Sequence, residues 1–151
     1  MTPSEVQEIA ERLIDLRGEG TIFAVIPRGA TLDALASADE VATAVTLTPQ
    51  GVAWTEIDGD SATALVDELL REDLAYGAPC VEPAVARMYA ERFVRTVGPA
   101  RYFTAAWSPV EHSPNGGFSQ TFTSISDATF DRGVIAIGVS HSAIFWVRDE
   151  D

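Results

Sequence analysis

The chain contains no lysine, and all ten of its basic residues are arginine. That absence excludes the phosphate-binding loop G-x-x-x-x-G-K-[ST], and no G-x-G-x-x-G follows a strand-like segment, so nucleotide chemistry through either loop is not expected. Cysteine is nearly absent. The one thiol, Cys80, rules out an internal disulfide, and secreted proteins of this size commonly carry paired cysteines, so the expected location is a reducing cytoplasm. Met1-Thr2-Pro3-Ser4-Glu5 has neither the basic start nor the apolar stretch of a signal peptide. Apolar runs such as Val134 to Val139 fall far short of the ~20 residues needed to cross a bilayer, which predicts no membrane association. Histidine is scarce as well, with two residues and no H-x-x-x-H, C-x-x-C or H-E-x-x-H spacing, so neither a metal site nor any other cofactor site is expected.

What the chain has in excess is negative charge. Its 151 residues carry a net −13, unevenly distributed. Residues 1–80 hold 4 arginines against 15 carboxylates, residues 83–101 hold 4 arginines against a single acid, and residues 102–151 hold 2 arginines against 6 acids. An acidic field repels nucleic acid and anionic membranes and speeds encounter with basic partners. Acidity also serves solubility alone, and composition does not separate the two. A length of 151 residues fits one domain, 1–151, large enough to bury a core without disulfide or metal.

Periodicity predicts an α+β fold. Thr2 and Glu5 form a capping box, Pro3 takes the first helical position, and Val6, Ile9, Ala10, Leu13 and Ile14 recur at helical spacing up to Gly18. Thr21 to Ile26 reads as a strand ended by Pro27, and 31–38 as a short helix behind Thr31. Alternation through Val41, Thr43, Val45 and Leu47, then Val52, Trp54 and Glu56, predicts a β-hairpin over 41–57 around Thr48-Pro49-Gln50-Gly51. A second long helix follows Asp58, with Leu65, Val66, Leu69, Leu70 and Leu74 inward and Gly77 as its end. A third begins at Pro83 with Val85, Met88, Tyr89 and Phe93 inward. Segments 102–107, 118–125, 134–139 and 143–147 then predict a four-strand meander ending in a solvated acidic tail, Asp149-Glu150-Asp151. The predicted architecture is one antiparallel sheet, built from this meander, the N-terminal strand and the hairpin, with three main helices packed against it.

No catalytic constellation emerges. Gly138-Val139-Ser140-His141-Ser142 lacks the last glycine of the nucleophile elbow and joins two strands rather than a strand and a helix. Cys80, between apolar neighbours, reads as buried filler rather than a nucleophile. His112 and His141 read as exposed loop residues. The many carboxylates offer chance pairs, and nothing singles out two of them.

Three stretches remain as candidates for binding. Glu8, Glu11 and Asp15 on the first helix, with Asp67, Glu68 and Glu72 on the second, form acidic faces suited to a protein with a basic surface. Carboxylates on rigid helices imitate the phosphate spacing of nucleic acid. In size and charge, though in no motif, the chain is similar to DNA-mimic inhibitors, anti-CRISPR proteins and immunity proteins. That analogy implies a non-catalytic inhibitor of a basic or nucleic-acid-binding complex, with no direct nucleic-acid binding of its own. Arg87, Arg92, Arg95 and Arg101 form a basic island, which either neutralises the acidic second helix or holds a small anion as part of an enzyme or ligand-binding site. The longest irregular segment, 108–117, contributes Glu111, His112 and Asn115 as candidate loop residues.

Overall fold

The computed structural model describes residues 1–30, 33–105, 111–112, 118–119, 124–128 and 130–150. Helix α1 spans Pro3–Arg17 and begins as its capping box dictates, with the Glu5 amide donating to Thr2 Oγ1 at 3.2 Å and the Thr2 amide to Glu5 Oε2 at 2.9 Å. Strand β1 follows over Ile22–Pro27.

The expected hairpin over 41–57 is not formed. Helix α2 occupies Ala34–Ala44, with the Asp33 carboxylate accepting from the Leu35 amide at 3.1 Å. Ala34, Ala38, Val41 and Ala42 form its buried stripe, and alanine's helix preference outweighs the β-branched pair Val41 and Thr43. Thr31, expected to start this helix, lies outside the described residues. After the helix, Thr46 turns the chain at φ 67°, and one Asp39 oxygen accepts from the Gln50 and Gly51 amides and Trp54 Nε1 at 3.0, 3.0 and 2.7 Å. These bonds to α2 fold residues 50–54 onto the helix, leaving a short 3₁₀ turn at Gly51–Ala53 and a three-residue strand β2, Thr55–Ile57.

Helix α3 spans Gly59–Arg71 and stops six residues before Gly77. Beyond it, Glu72 bridges to Pro79, the Cys80 amide donates to the Arg71 carbonyl, and the Val81 amide to that of Leu70. Helix α4 spans Pro83–Arg95 and buries Ala86, Ala90 and Phe93. Met88, expected inward, is 48% exposed because it projects from the side opposite that stripe.

The meander is also rearranged. Strand β3, Arg101–Thr104, pairs directly with β6, Phe130–Ile137, which pairs with β7, His141–Asp149. Of the strand expected over 118–125, Phe118–Ser119 (β5) pairs with Glu111–His112 (β4) as a separate two-stranded ribbon. Ile125 is kept out of the main ladder because its amide is held by the Asp131 carboxylate. The main sheet is wholly antiparallel, in the order β1-β7-β6-β3-β2.

Helices cover both faces of this sheet, which explains the uninterrupted apolar character of β6 and β7. Phe23, Val134, Ala136, Phe145 and Val147 meet α1, α3 and α4 on one side. Ile135, Ile137, Ile144 and Trp146 meet α2 on the other, where Trp54 stacks edge-on against Trp146 at 6.3 Å. Among the described residues no helix is long and apolar enough to cross a membrane.

Candidate functional site

The acidic residues of α1 lie where the helical stripe predicts. Ile9, Leu13 and Arg17 point inward, so Glu8, Glu11 and Asp15 are exposed, and Glu11 accepts from Gln7 Nε2 at 3.0 Å. The second acidic group is less uniform. Asp67 is largely covered and paired with Arg71 at 2.9 Å, while Glu68 is exposed on the last turn of α3. Glu72 is exposed but lies past the helix end, so it does not share the helical face expected of it. Glu68, Glu72 and Asp73 line a cleft of ≈ 200 Å³ with Arg132, whose pKa is lowered by burial against the opposing charge of Glu68.

Among the described residues the arginine island makes no ion pair with Asp67, Glu68, Glu72 or Asp73. Arg87 bonds Glu91 on its own helix at 2.9 Å, and Arg95 Nε donates to the Glu91 carbonyl at 3.3 Å. Arg101 grips Glu56 on the neighbouring strand through two bonds of 2.9 and 2.7 Å, and that side-chain bonding lowers the Glu56 pKa and raises that of Arg101. Arg92 is exposed. A cleft of ≈ 480 Å³ lies between α3 and α4, lined by Arg87 and Arg95 but equally by Asp60 and Glu91. Two cations balanced by two carboxylates give an anion little net attraction.

Of the loop candidates, Glu111 and His112 sit in β4, and Asn115 lies outside the described residues. His141 opens β7, exposed, with Nδ1 3.0 Å from Ser140 Oγ. Among the described residues no group of three His, Cys, Asp or Glu is placed to hold a metal ion.

Cys80 is exposed rather than buried filler, because the segment after α3 runs across the surface. Partial burial raises its thiol pKa, and Asp73, Asp149 and Glu72 add to this against the charge of Arg17. The native protein should therefore take up one equivalent of a disulfide reagent such as DTNB without denaturant, but more slowly at pH 8 than free cysteine does. Modification only after unfolding would contradict this placement.

Sequence reasoning missed two features. Arg17 and Asp149, 132 residues apart, form an ion pair at 2.7 Å in which the Arg17 side chain is 3% exposed, so the C-terminal acidic segment is not wholly solvated. The signal for Arg17 was present, since Ile9, Leu13 and residue 17 continue one stripe at intervals of four. The other feature is an apolar groove between α1 and β1, which has no local sequence signature. No family model, curated protein or solved structure matches this chain.

Proposed function

We propose that the protein is a non-catalytic binder that presents the acidic face of α1, with Glu68 and Glu72, to a partner protein with a basic surface, acting as its inhibitor. The observation that carries this reading is the position of the charges along the helices. Glu8, Glu11 and Asp15 form an exposed acidic face on α1, and Asp15 lies in the last turn, next to the negative end of the helix dipole, where a carboxylate costs stability. Charge added for solubility alone has no reason to take that last position. Binding gives a reason, in keeping with the common exchange of stability for function at recognition surfaces. The balanced charge of the α3–α4 cleft makes the anion-binding enzyme the weaker alternative.

The test uses a lysate pull-down eluted with a salt gradient, followed by affinity measurement on the protein recovered. A specific partner should elute only at elevated salt, since steering charges are screened within about 8 Å at physiological ionic strength. Reversing Glu8, Glu11 and Asp15 to arginine should weaken that binding at least about tenfold while leaving thermal stability equal or higher. Unchanged affinity in this triple variant and in one reversing Asp67, Glu68 and Glu72 would refute the acidic-face reading.

A further inference from the structure

Strand β1 is an edge of the main sheet, and among the described residues it pairs only with β7. Along its other side, the N–H and C=O groups of alternate residues face away from the ladder. Edge strands are commonly protected by charge, by bulges or by being very short. The opposite edge follows that pattern, since β2 has three residues and carries the Glu56–Arg101 pair. By contrast β1 is six residues, Ile22-Phe23-Ala24-Val25-Ile26-Pro27, with no charge and only a terminal proline.

The flanks of this edge are apolar too. On the α1 side, Met1, Pro3, Val6 and Ala10 face Phe23, Val25 and Pro27 across a groove of ≈ 360 Å³, whose polar lining is Gln7 and His141. Met1 is 52% exposed and Ile14, one turn beyond Ala10, is 36% exposed, so the apolar row continues along the helix. On the other face Ile22, Ala24 and Ile26 are only half-buried. Beside this row, Gln7, Glu11 and Asp15 follow one another at intervals of four, and no arginine lines the groove. The groove is thus mostly apolar and lies beside the unpaired edge, while the exposed acids Glu11 and Asp15 stand on α1 outside its lining.

We propose that the basic partner docks here by strand addition. An extended segment pairs its backbone with β1, its apolar side chains enter the α1–β1 groove, and flanking arginines or lysines meet Glu11 and Asp15. This rests on the acidic-face reading above and gives it a place and a mode. A second copy of the chain fits less well. Antiparallel pairing of two β1 strands about a two-fold axis would bring both α1 helices to the same sheet face, setting one Glu11–Asp15 row against the other.

The probe is a fluorescein-labelled peptide, RRVTVTVRR, titrated by fluorescence anisotropy against the full chain. It should bind, while EEVTVTVEE should not. N-methylation of alternate backbone amides on the pairing side of RRVTVTVRR should weaken binding about tenfold or more, a control that leaves the protein untouched. Ala10→Arg, which fills the groove, should weaken it comparably with an unchanged circular dichroism spectrum. Equal binding of the N-methylated peptide, or no binding of RRVTVTVRR, overturns strand addition and leaves the acidic-face reading to its own salt and charge-reversal test. Peptide binding that N-methylation abolishes but the Glu8, Glu11, Asp15 reversal does not touch supports strand addition and removes the role of charge. A dimer in sedimentation equilibrium that Ala10→Arg dissociates assigns the edge to a second copy and overturns the proposal.

Discussion

Replacing Arg17 by methionine is expected to destabilise the protein by ~3–5 kcal/mol, enough to threaten the fold of an average domain. The size follows from what the guanidinium holds together. Its Nη1 and Nη2 donate to the two oxygens of Asp149 at 2.9 and 2.7 Å, Nε donates to the Leu69 carbonyl at 2.6 Å, and Nη2 also reaches the Glu72 carbonyl at 3.2 Å. Asp149 further accepts from the Leu74 amide at 2.7 Å. One side chain therefore ties the end of α1 to the last turn of α3, the loop beyond it and the end of β7. Removing it strands a mostly buried carboxylate and two carbonyls. The double variant Arg17→Met, Asp149→Leu should recover much of the loss, because two apolar side chains leave no unpaired charge. Urea unfolding of the single and double variants measures both effects, and a single-variant loss below about 1 kcal/mol would show that the pair is not a structural clasp.

The same pair sets an acid limit. Burial opposes ionisation of Asp149, but the Arg17 bonds and charge and the Leu74 amide outweigh it, so its folded pKa lies below the ordinary 3.8. A carboxylate lowered in the folded state stabilises the protein fully above its unfolded value. That contribution disappears as pH falls through the folded value. Acid unfolding should therefore begin below about pH 4, and Asp149→Leu in the Arg17→Met background should flatten the pH dependence there.

How far these features were legible depends on the range of the forces that make them. The α1 cap, the strand expected over 21–26 and formed as Ile22–Pro27, the buried stripe of α3 and the runs that became β6 and β7 rest on local spacing, and the structure forms each of them. The hairpin expected over 41–57 rested on local alternation too, but there the deciding groups were distant partners. Asp39 gathers two turn amides and the Trp54 indole, and Leu47 is buried under α2, so tertiary bonds override the period-two pattern. The end of α3 was misread for the same reason. Leu74 continues the apolar spacing, yet Arg17 takes the Leu69 and Glu72 carbonyls and Asp149 takes the Leu74 amide, which turns the chain out of the helix. In the candidate site, the exposure of Glu8, Glu11 and Asp15 followed from helical geometry. The open edge of β1 could not be read, because strand order is decided by which ladder β7 completes rather than by the composition of residues 22–27.

Asp131→Ala is the second substitution with a large expected effect, ~3–5 kcal/mol, because this carboxylate is a buried acceptor rather than an ion-pair partner. Asp131 is 3% exposed and lies on β6. Its Oδ1 accepts from the Ile125 amide at 3.0 Å and from Trp146 Nε1 at 3.1 Å. Its Oδ2 accepts from the amides of Ile125 and Ser126 at 2.9 and 2.8 Å and from Ser126 Oγ at 2.6 Å. Alanine would leave the indole of a fully buried tryptophan and the amide of a fully buried isoleucine without acceptors, each costing roughly 1–3 kcal/mol. Asparagine keeps one acceptor oxygen but turns an NH₂ toward N–H donors, so Asp131→Asn should retain only part of the stability. Trp146→Phe removes a donor and some volume but strands only one lone pair of an acceptor that keeps its other bonds, so its cost should come mainly from packing. The decisive comparison is a cycle of Asp131→Ala, Trp146→Phe and the double variant, read by urea unfolding. If the indole bond carries much of the Asp131 effect, the double variant will be more stable than the sum of the two losses predicts, by at least about 1 kcal/mol. Strict additivity would assign the carboxylate's role to Ile125 and Ser126, as the anchor that brings residues 124–128 onto the sheet.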